Sequence, residues 1–324
     1  MKKIMALLLL AALLTGCGGN PAPAEPETRP TEQIVETLPA PVVEAEVAAL
    51  VEEVPPPTGV MLEPVAPGEQ EDRCDVAVVD YSNAEDGYIM VFYFGDTEKR
   101  LKVLLRGPRT TYNYDLPRGS WVVLPLSDGD GTYEAGIYRN VQGTEYAMVM
   151  LSEFDVTLRD EFAPFLRPNQ YVNYLTAPNT VAMGAQLCDG LDSALDKVAA
   201  VYDYVVQNLS YDDEKAATVQ SGYLPNLDEI LEIKKGICFD YASMMTAMLR
   251  SQEVPCKLVV GYAGNIYHAW ISIWTEENGW VDGAIFFDGH AWKRMDPTFV
   301  SSAEDRQEIL NFVENGNYRV KYLY

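Results

Sequence analysis

Cys238, His268 and Asp296 stand in that order within 59 positions of the chain. A thiol, an imidazole and a carboxylate are the parts of a nucleophile, its base and the group that orients the base. In such a set the imidazole takes the thiol proton and the carboxylate fixes the imidazole tautomer. The chemistry it supports is attack on an acyl carbon, with a thioester as the intermediate.

Each residue needs an element to hold it. Cys238 follows the turn Lys234-Lys235-Gly236-Ile237, and Phe239 to Arg250 reads as a helix with Tyr241, Met245, Met248 and Leu249 on one face. The thiol therefore sits at a helix N-terminus. Unpaired N–H groups and the positive dipole end favour a thiolate there and can hold an oxyanion. Asp240 works against a thiolate unless its carboxylate is turned to the helix N–H groups as a first-turn acid. After Pro255 the rhythm becomes β: Lys257–Tyr262, Tyr267–Trp274, Trp280–Ile285 and Trp292–Met295 read as strands, with a turn at Gly264-Asn265. His268 begins one strand and Asp296 follows another, so antiparallel pairing can bring them together. His290 competes with His268 for the role of base, because it also opens a His-Ala-Trp. It lies in a Gly-flanked loop only a few positions before Asp296 and lacks a preceding strand pair. Upstream, Asp192–Asn208 is an amphipathic helix, and Leu227–Ile233 is a shorter one capped by Asn226 or Asp228.

Gly236-Ile237-Cys238-Phe239-Asp240-Tyr241-Ala242, then Lys257-Leu258-Val259-Val260-Gly261-Tyr262, then His268-Ala269-Trp270, then Trp292 and Asp296-Pro297-Thr298 resemble the transglutaminase-like domain family. The resemblance runs from about Thr180 to Phe299. It implies a papain-like α+β core, with helices carrying the Cys packed on an antiparallel sheet bearing His and Asp. It also implies Cys238 as nucleophile, His268 as base and Asp296 as orienting carboxylate, acting on protein or peptide amides by transfer or hydrolysis. Tyr211 stands where the family often has an aromatic near the active site. No calcium site of the animal transglutaminase kind is visible, so no metal and no cofactor are expected.

The rest of the chain reads as anchor, stalk and β domain. Lys2, Lys3 and the apolar run Ile4–Leu14 form a secretory signal too short to span a bilayer. It ends in Leu14-Thr15-Gly16-Cys17, which resembles the bacterial lipobox, so residues 1–17 read as a lipoprotein signal peptide, with Cys17 lipidated and the first residue of the mature chain. Gly18 to Asp72 holds 12 acidic residues against one basic, and 11 of the chain's 20 prolines. That composition cannot build a core and reads as a disordered stalk spanning roughly 40 Å. Seven short β runs between Arg73 and Leu158, from Asp75–Tyr81 to Tyr146–Leu151, suggest an all-β, immunoglobulin-like sandwich. Ser127-Asp128-Gly129-Asp130-Gly131 reads as hairpin chemistry, since it lacks the ligand series of a calcium loop. Residues 159–178 form a linker and 179–324 the transglutaminase-like domain. Cys74, Cys188 and Cys256 are small core residues or contribute one disulfide at most.

The formal net charge of −24 over 324 residues argues against nucleic acid and against a polybasic grip on lipid. It points to a neutral or cationic partner. The sequence thus describes an extracytoplasmic, lipid-anchored, multidomain protein. Its rival reading is a non-enzymatic cell-envelope module that binds through the β domain and the cleft.

Overall fold

The first half of the fold holds two four-stranded antiparallel sheets. The computed structural model describes residues 59–324 except Asn265, Glu277, 283–284, 288–291 and 295–317. All of these belong to one unit, Glu53–Tyr324. The first sheet has the order β1 (Glu71–Arg73), β2 (Ala77–Asp80), β3 (Tyr88–Tyr93), β6 (Val122–Pro125). The second has the order β5 (Thr111–Asp115), β4 (Leu101–Arg106), β7 (Gly131–Gln142), β8 (Glu145–Val156). Leu101, Val103 and Leu105 alternate inward from β4, and Tyr112 and Tyr114 from β5. The buried Asp128 carboxylate accepts the Arg109 and Thr110 N–H groups and the Tyr112 hydroxyl, so the Asp-Gly loop is a structural turn.

Residues 59–72 depart from the expected disordered stalk. Val60 N–H donates to Ser251 O at 2.9 Å, Gly68 N–H to Asp80 Oδ2 at 2.7 Å, and Glu71–Arg73 pairs with β2. An extended Pro-rich strand has few donors to satisfy, and here both backbone and side-chain acceptors of the fold satisfy them. Residues 159–178 likewise pack into the core as short 3₁₀ turns, with Phe165, Val172 and Tyr174 buried. This segment joins the two halves in one apolar cluster that continues from Ala77 to Tyr324.

The second half is α+β. The helices are α1 (Pro178–Cys188), α2 (Ala194–Asn208), α3 (Asp213–Thr218), α4 (Leu227–Ile233) and α5 (Cys238–Arg250). A four-stranded antiparallel sheet lies against α5, in the order β13 (Gly279–Asp282), β12 (Ile266–Thr275), β11 (Cys256–Ala263), β16 (Tyr318–Leu323). Two short pairs complete it: β9 (Ser210–Tyr211) with β10 (Lys235–Gly236), and β14 (Ile285–Phe287) with β15 (Trp292–Arg294). The helix α5 was expected to bury one face; it is buried all round, from Asp240 to Arg250. The helices α1, α2 and α4 cover one side and β11 and β12 the other. Its last residue is a fully buried guanidinium. Arg250 donates to Cys256 O at 2.9 Å and to Arg167 O and Tyr324 O at 2.6 Å each, and burial lowers its pKa to about 10. Among the described residues, no helix is long and apolar enough to cross a membrane.

Candidate active site

Cys238 is the first residue of α5, and Ile237 before it has no side-chain acceptor for the helix N–H groups. The Cys238 and Phe239 N–H groups precede the first intrahelical bond, Tyr241 N–H to Ile237 O. The parallel pair β9–β10 sets Tyr211 beside Gly236, with Asp212 N–H donating to Gly236 O at 2.9 Å. Gly236 has no room for a side chain: a Cβ would stand 2.8 Å from the Asp240 Cβ. This close approach lets the Asp240 carboxylate fold back under the turn and accept the Ile237 N–H at 2.9 Å.

His268 comes from the sheet. It lies on β12 opposite Gly261 of β11 and is buried, with 5% of its surface exposed. Gly261 is where β16 crosses with a register shift; a Cβ there would stand 2.1 Å from Arg319 O. The imidazole and the Trp270 ring lie nearly parallel, 6.3 Å apart.

Cys238 and His268 both line one cleft of about 410 Å³. Its further walls include Tyr171, Tyr211, Tyr223, Tyr267 and Tyr324, Ala216 of α3 and residues 219–222 after it. The Tyr267 phenol is pushed up to about 12, mainly by burial, with the Tyr322, Tyr262 and Cys238 side chains adding to it. It is therefore a proton-bearing donor at neutral pH. The thiol and the imidazole are thus brought to one cavity. Asp296 and His290 lie outside the described residues, as does Cys17.

The sequence did not reveal the network behind the thiol. Asp240 is fully buried, and its Oδ2 accepts Lys215 Nζ at 2.6 Å while its Oδ1 accepts the Tyr223 hydroxyl at 2.6 Å. The Tyr223 phenol pKa is raised by burial first and then by Asp240, so the hydroxyl stays a donor. Lys215 is held on α3, whose cap is Asp212 accepting the Lys215 N–H at 3.0 Å. The visible signal was Asp212 ahead of Asp213 and Glu214, a helix start. The other described cysteines, Cys74, Cys188 and Cys256, are free thiols. Burial raises the pKa of Cys188, and of Cys256 to about 11. Among the described residues, no cluster of three or more His, Cys, Asp or Glu is placed to hold a metal ion.

Residues 181–283 match the family model of the transglutaminase-like superfamily. They are a transglutaminase-like domain. The transglutaminase-like domain contains Cys238 and His268; the match stops short of Asp296. An uncharacterised protein, YebA of Bacillus subtilis, is 28% identical over 132 residues, covering 33% of this chain and 18% of that protein. A protein-glutamine gamma-glutamyltransferase of Pseudomonas aeruginosa is 32% identical over 68 residues, covering 17% of this chain and 10% of that protein. The chain thus spans less than a fifth of the length of either curated relative. Among solved structures, a candidate cysteine protease from Cytophaga hutchinsonii aligns at 13% identity and a TM-score of 0.37, covering 73% of this chain and 76% of that one.

Proposed function

We propose that the protein is an extracytoplasmic cysteine acyl-transfer enzyme acting on protein or peptide amides. The observation that carries this reading is the opening of the Cys238 thiol, at a helix N-terminus, and the His268 imidazole into one cleft. His268 takes the thiol proton, and the thiolate attacks the amide carbonyl carbon. The negative charge that develops on the carbonyl oxygen is met by N–H groups of the first turn of α5. The C–N bond breaks as His268 returns the proton to the leaving amine, which leaves a thioester on Cys238. Water or a second amine then attacks the thioester and frees the thiol. Asp296 is the orienting carboxylate in this scheme. Tyr211 and Tyr267 frame the reacting carbonyl.

The sequence features of residues 1–17 support a lipid anchor at Cys17, and two acyl chains hold stably at about 0.8 kcal/mol per buried CH₂. The two N-terminal sheets are read as a sandwich that resembles immunoglobulin domains in its two layers, with β1, β2 and β3 paired consecutively. The domain-level reading is a tethered transglutaminase-like enzyme with a β-rich module in front of it.

The test is the rate of Cys238 alkylation by iodoacetamide at neutral pH, followed by peptide mapping. Activation predicts a rate at least about tenfold above that of a free thiol, lost in His268→Ala. A rate equal to a free thiol that is insensitive to His268→Ala refutes the reading. Mass spectrometry of envelope proteins incubated with the enzyme and a labelled amine then separates the two outcomes. Incorporated amine marks a transferase and new peptide ends mark a hydrolase.

A further inference from the structure

A second and larger concavity, about 580 Å³, opens on the β-rich half, and the proposed activity makes no use of it. Its lining includes Lys99, Arg100, Arg118, Trp121, Asn169 and Leu224. Trp121 and Leu224 are 41% and 44% exposed, so the groove offers an apolar contact to something outside the chain.

Three features bear on its ligand. The first is charge. Lys99, Arg100 and Arg118 face two carboxylates, Glu63 and Asp115. Asp115 is already paired with Lys102 at 2.7 Å. Arg118 pairs with Asp96, whose side chain is 97% exposed, and such a pair is weak and exchangeable. The groove is therefore locally basic on a chain whose net charge is −24. The second is an orphan donor. Asn169 is buried, with 3% of its surface exposed, and its Oδ1 accepts the Tyr171 and Val172 N–H groups. That fixes the amide orientation, and its Nδ2 has no acceptor. The third is continuity with the cleft. Gln170 lines the groove and Tyr171 the cleft; Leu224 lines the groove and Tyr223 the cleft. On each wall, consecutive residues of the chain thus line the two spaces. Between the walls stands Asp115 of β5. Its backbone carbonyl accepts the Gln170 amide at 3.2 Å, and its Oδ2 lies 2.9 Å from where a Cβ on Gly222 would stand.

We infer that this groove is a second substrate subsite, which binds an acidic, aromatic-containing stretch of the same polypeptide whose amide enters the Cys238 cleft. An extended chain covers about 3.3 Å per residue, so a few residues reach from one space to the other. Lys99, Arg100 and Arg118 pair with the acidic side chains, Trp121 and Leu224 take the aromatic one, and Asn169 Nδ2 gives a donor to a backbone carbonyl. The β-rich half is then part of substrate selection. The overall acidity pointed to a neutral or cationic partner; the groove reverses that sign locally. The inference rests on the proposed cleft as the place of reaction, and the experiment separates the two.

The probes are two fluorescein-labelled peptides with a single, central glutamine, flanked on both sides by Glu-Phe-Glu in one and by Ser-Phe-Ser in the other. Binding is measured by fluorescence anisotropy on the full-length Cys238→Ala protein, so no turnover intervenes. The acidic peptide is expected to bind about tenfold tighter than its neutral twin, at roughly threefold per exposed ion pair. The preference is expected to fall with added salt and to disappear in the Lys99→Glu/Arg118→Glu variant. Trp121→Ala weakens both peptides alike. All three residues are exposed, and circular dichroism verifies the fold of each variant. Equal affinity for the two peptides, an acidic preference that survives charge reversal, or no binding of either at about 1 mM overturns the inference. If the acidic preference holds while wild-type protein neither cleaves nor aminates the peptide, the groove stands and the catalytic reading falls.

Discussion

Lys215→Met tests whether the buried Asp240 depends on its partners. The carboxylate has no exposed surface and three donors: Lys215 Nζ and the Tyr223 hydroxyl at 2.6 Å, and the Ile237 N–H at 2.9 Å. Only one of these carries a charge. Removing the charged partner of a buried pair costs about 3–5 kcal/mol, because the remaining ion has lost its compensation. The Lys215 side chain is 24% exposed, so water can enter behind a methionine and the lower end applies, about 3 kcal/mol. Replacing Asp240 by Asn in the same chain removes the orphaned charge. The double variant is expected to recover about 2 kcal/mol of that loss, a coupling within the range for groups in direct contact. Urea unfolding of the four proteins of this cycle at pH 7 measures it. The site responds as well. Asp240 stands two residues from Cys238, so its unneutralised charge disfavours the thiolate, and iodoacetamide alkylation at pH 7 slows about fivefold in Lys215→Met. A loss under about 0.5 kcal/mol, the value of an exposed pair, refutes the reasoning, as does a double variant no more stable than the single one.

Two further outcomes follow from buried groups. The Cys256 thiol rises from its ordinary 9.0 to about 11 through burial, so the folded protein keeps that proton while the unfolded chain gives it up. Its stabilisation is complete below pH 9 and is lost as pH climbs toward 11, up to about 2–3 kcal/mol. Stability measured between pH 9 and 10 should therefore fall less steeply in Cys256→Ala than in wild type, and equal slopes contradict the assignment. Arg250→Met removes a donor from the Cys256 and Arg167 carbonyls and leaves Tyr324 O with the Leu258 N–H. A loss of about 3 kcal/mol by urea unfolding is expected, and Arg250→Lys should not restore it, because a point cation cannot serve three acceptors in fork geometry. A cost below about 1 kcal/mol argues that water replaces the guanidinium.

What the sequence revealed depended on how local each signal was. The helices α2, α4 and α5 and the strands β2 to β8 are each marked by local composition and flanking turn residues, and expected and observed limits differ by a few residues at most ends. Pro178 hid α1, because a proline after Pro164 and Pro168 reads as a linker, whereas at a first helical position it starts a helix. The edge strands β1 and β16 were missed because three exposed or half-buried residues, or a Tyr-Arg-Val-Lys-Tyr-Leu run with little burial, show no clean alternation. Cys238 and His268 were legible as types in order at a helix start and a strand. Asp240 was legible as a first-turn acid, since position and residue type sufficed. Lys215 and Tyr223 were not, because nothing in a single sequence pairs position 240 with positions 25 and 17 before it.

The same limit hid how the β-rich half meets the helical half. An aromatic seam crosses directly between them. Tyr112 and Tyr114 of β5 each lie 5.8 Å from Tyr324; Tyr324 lies 4.4 Å from Tyr171, and Tyr171 lies 5.7 Å from Phe239, the residue after Cys238. Aromatic pairs of this geometry add about 0.5–1.5 kcal/mol each beyond their buried area. The seam therefore couples the placement of β5 to the first turn of α5. The α5 N-terminus at Cys238 has no side-chain cap on its N–H groups. It is held from the side, by Asp240 with its partners Lys215 and Tyr223 and by this tyrosine wall. Lys215, Tyr223 and the wall lie well away in sequence, so the position of the Cys238 thiol is a property of the joined halves.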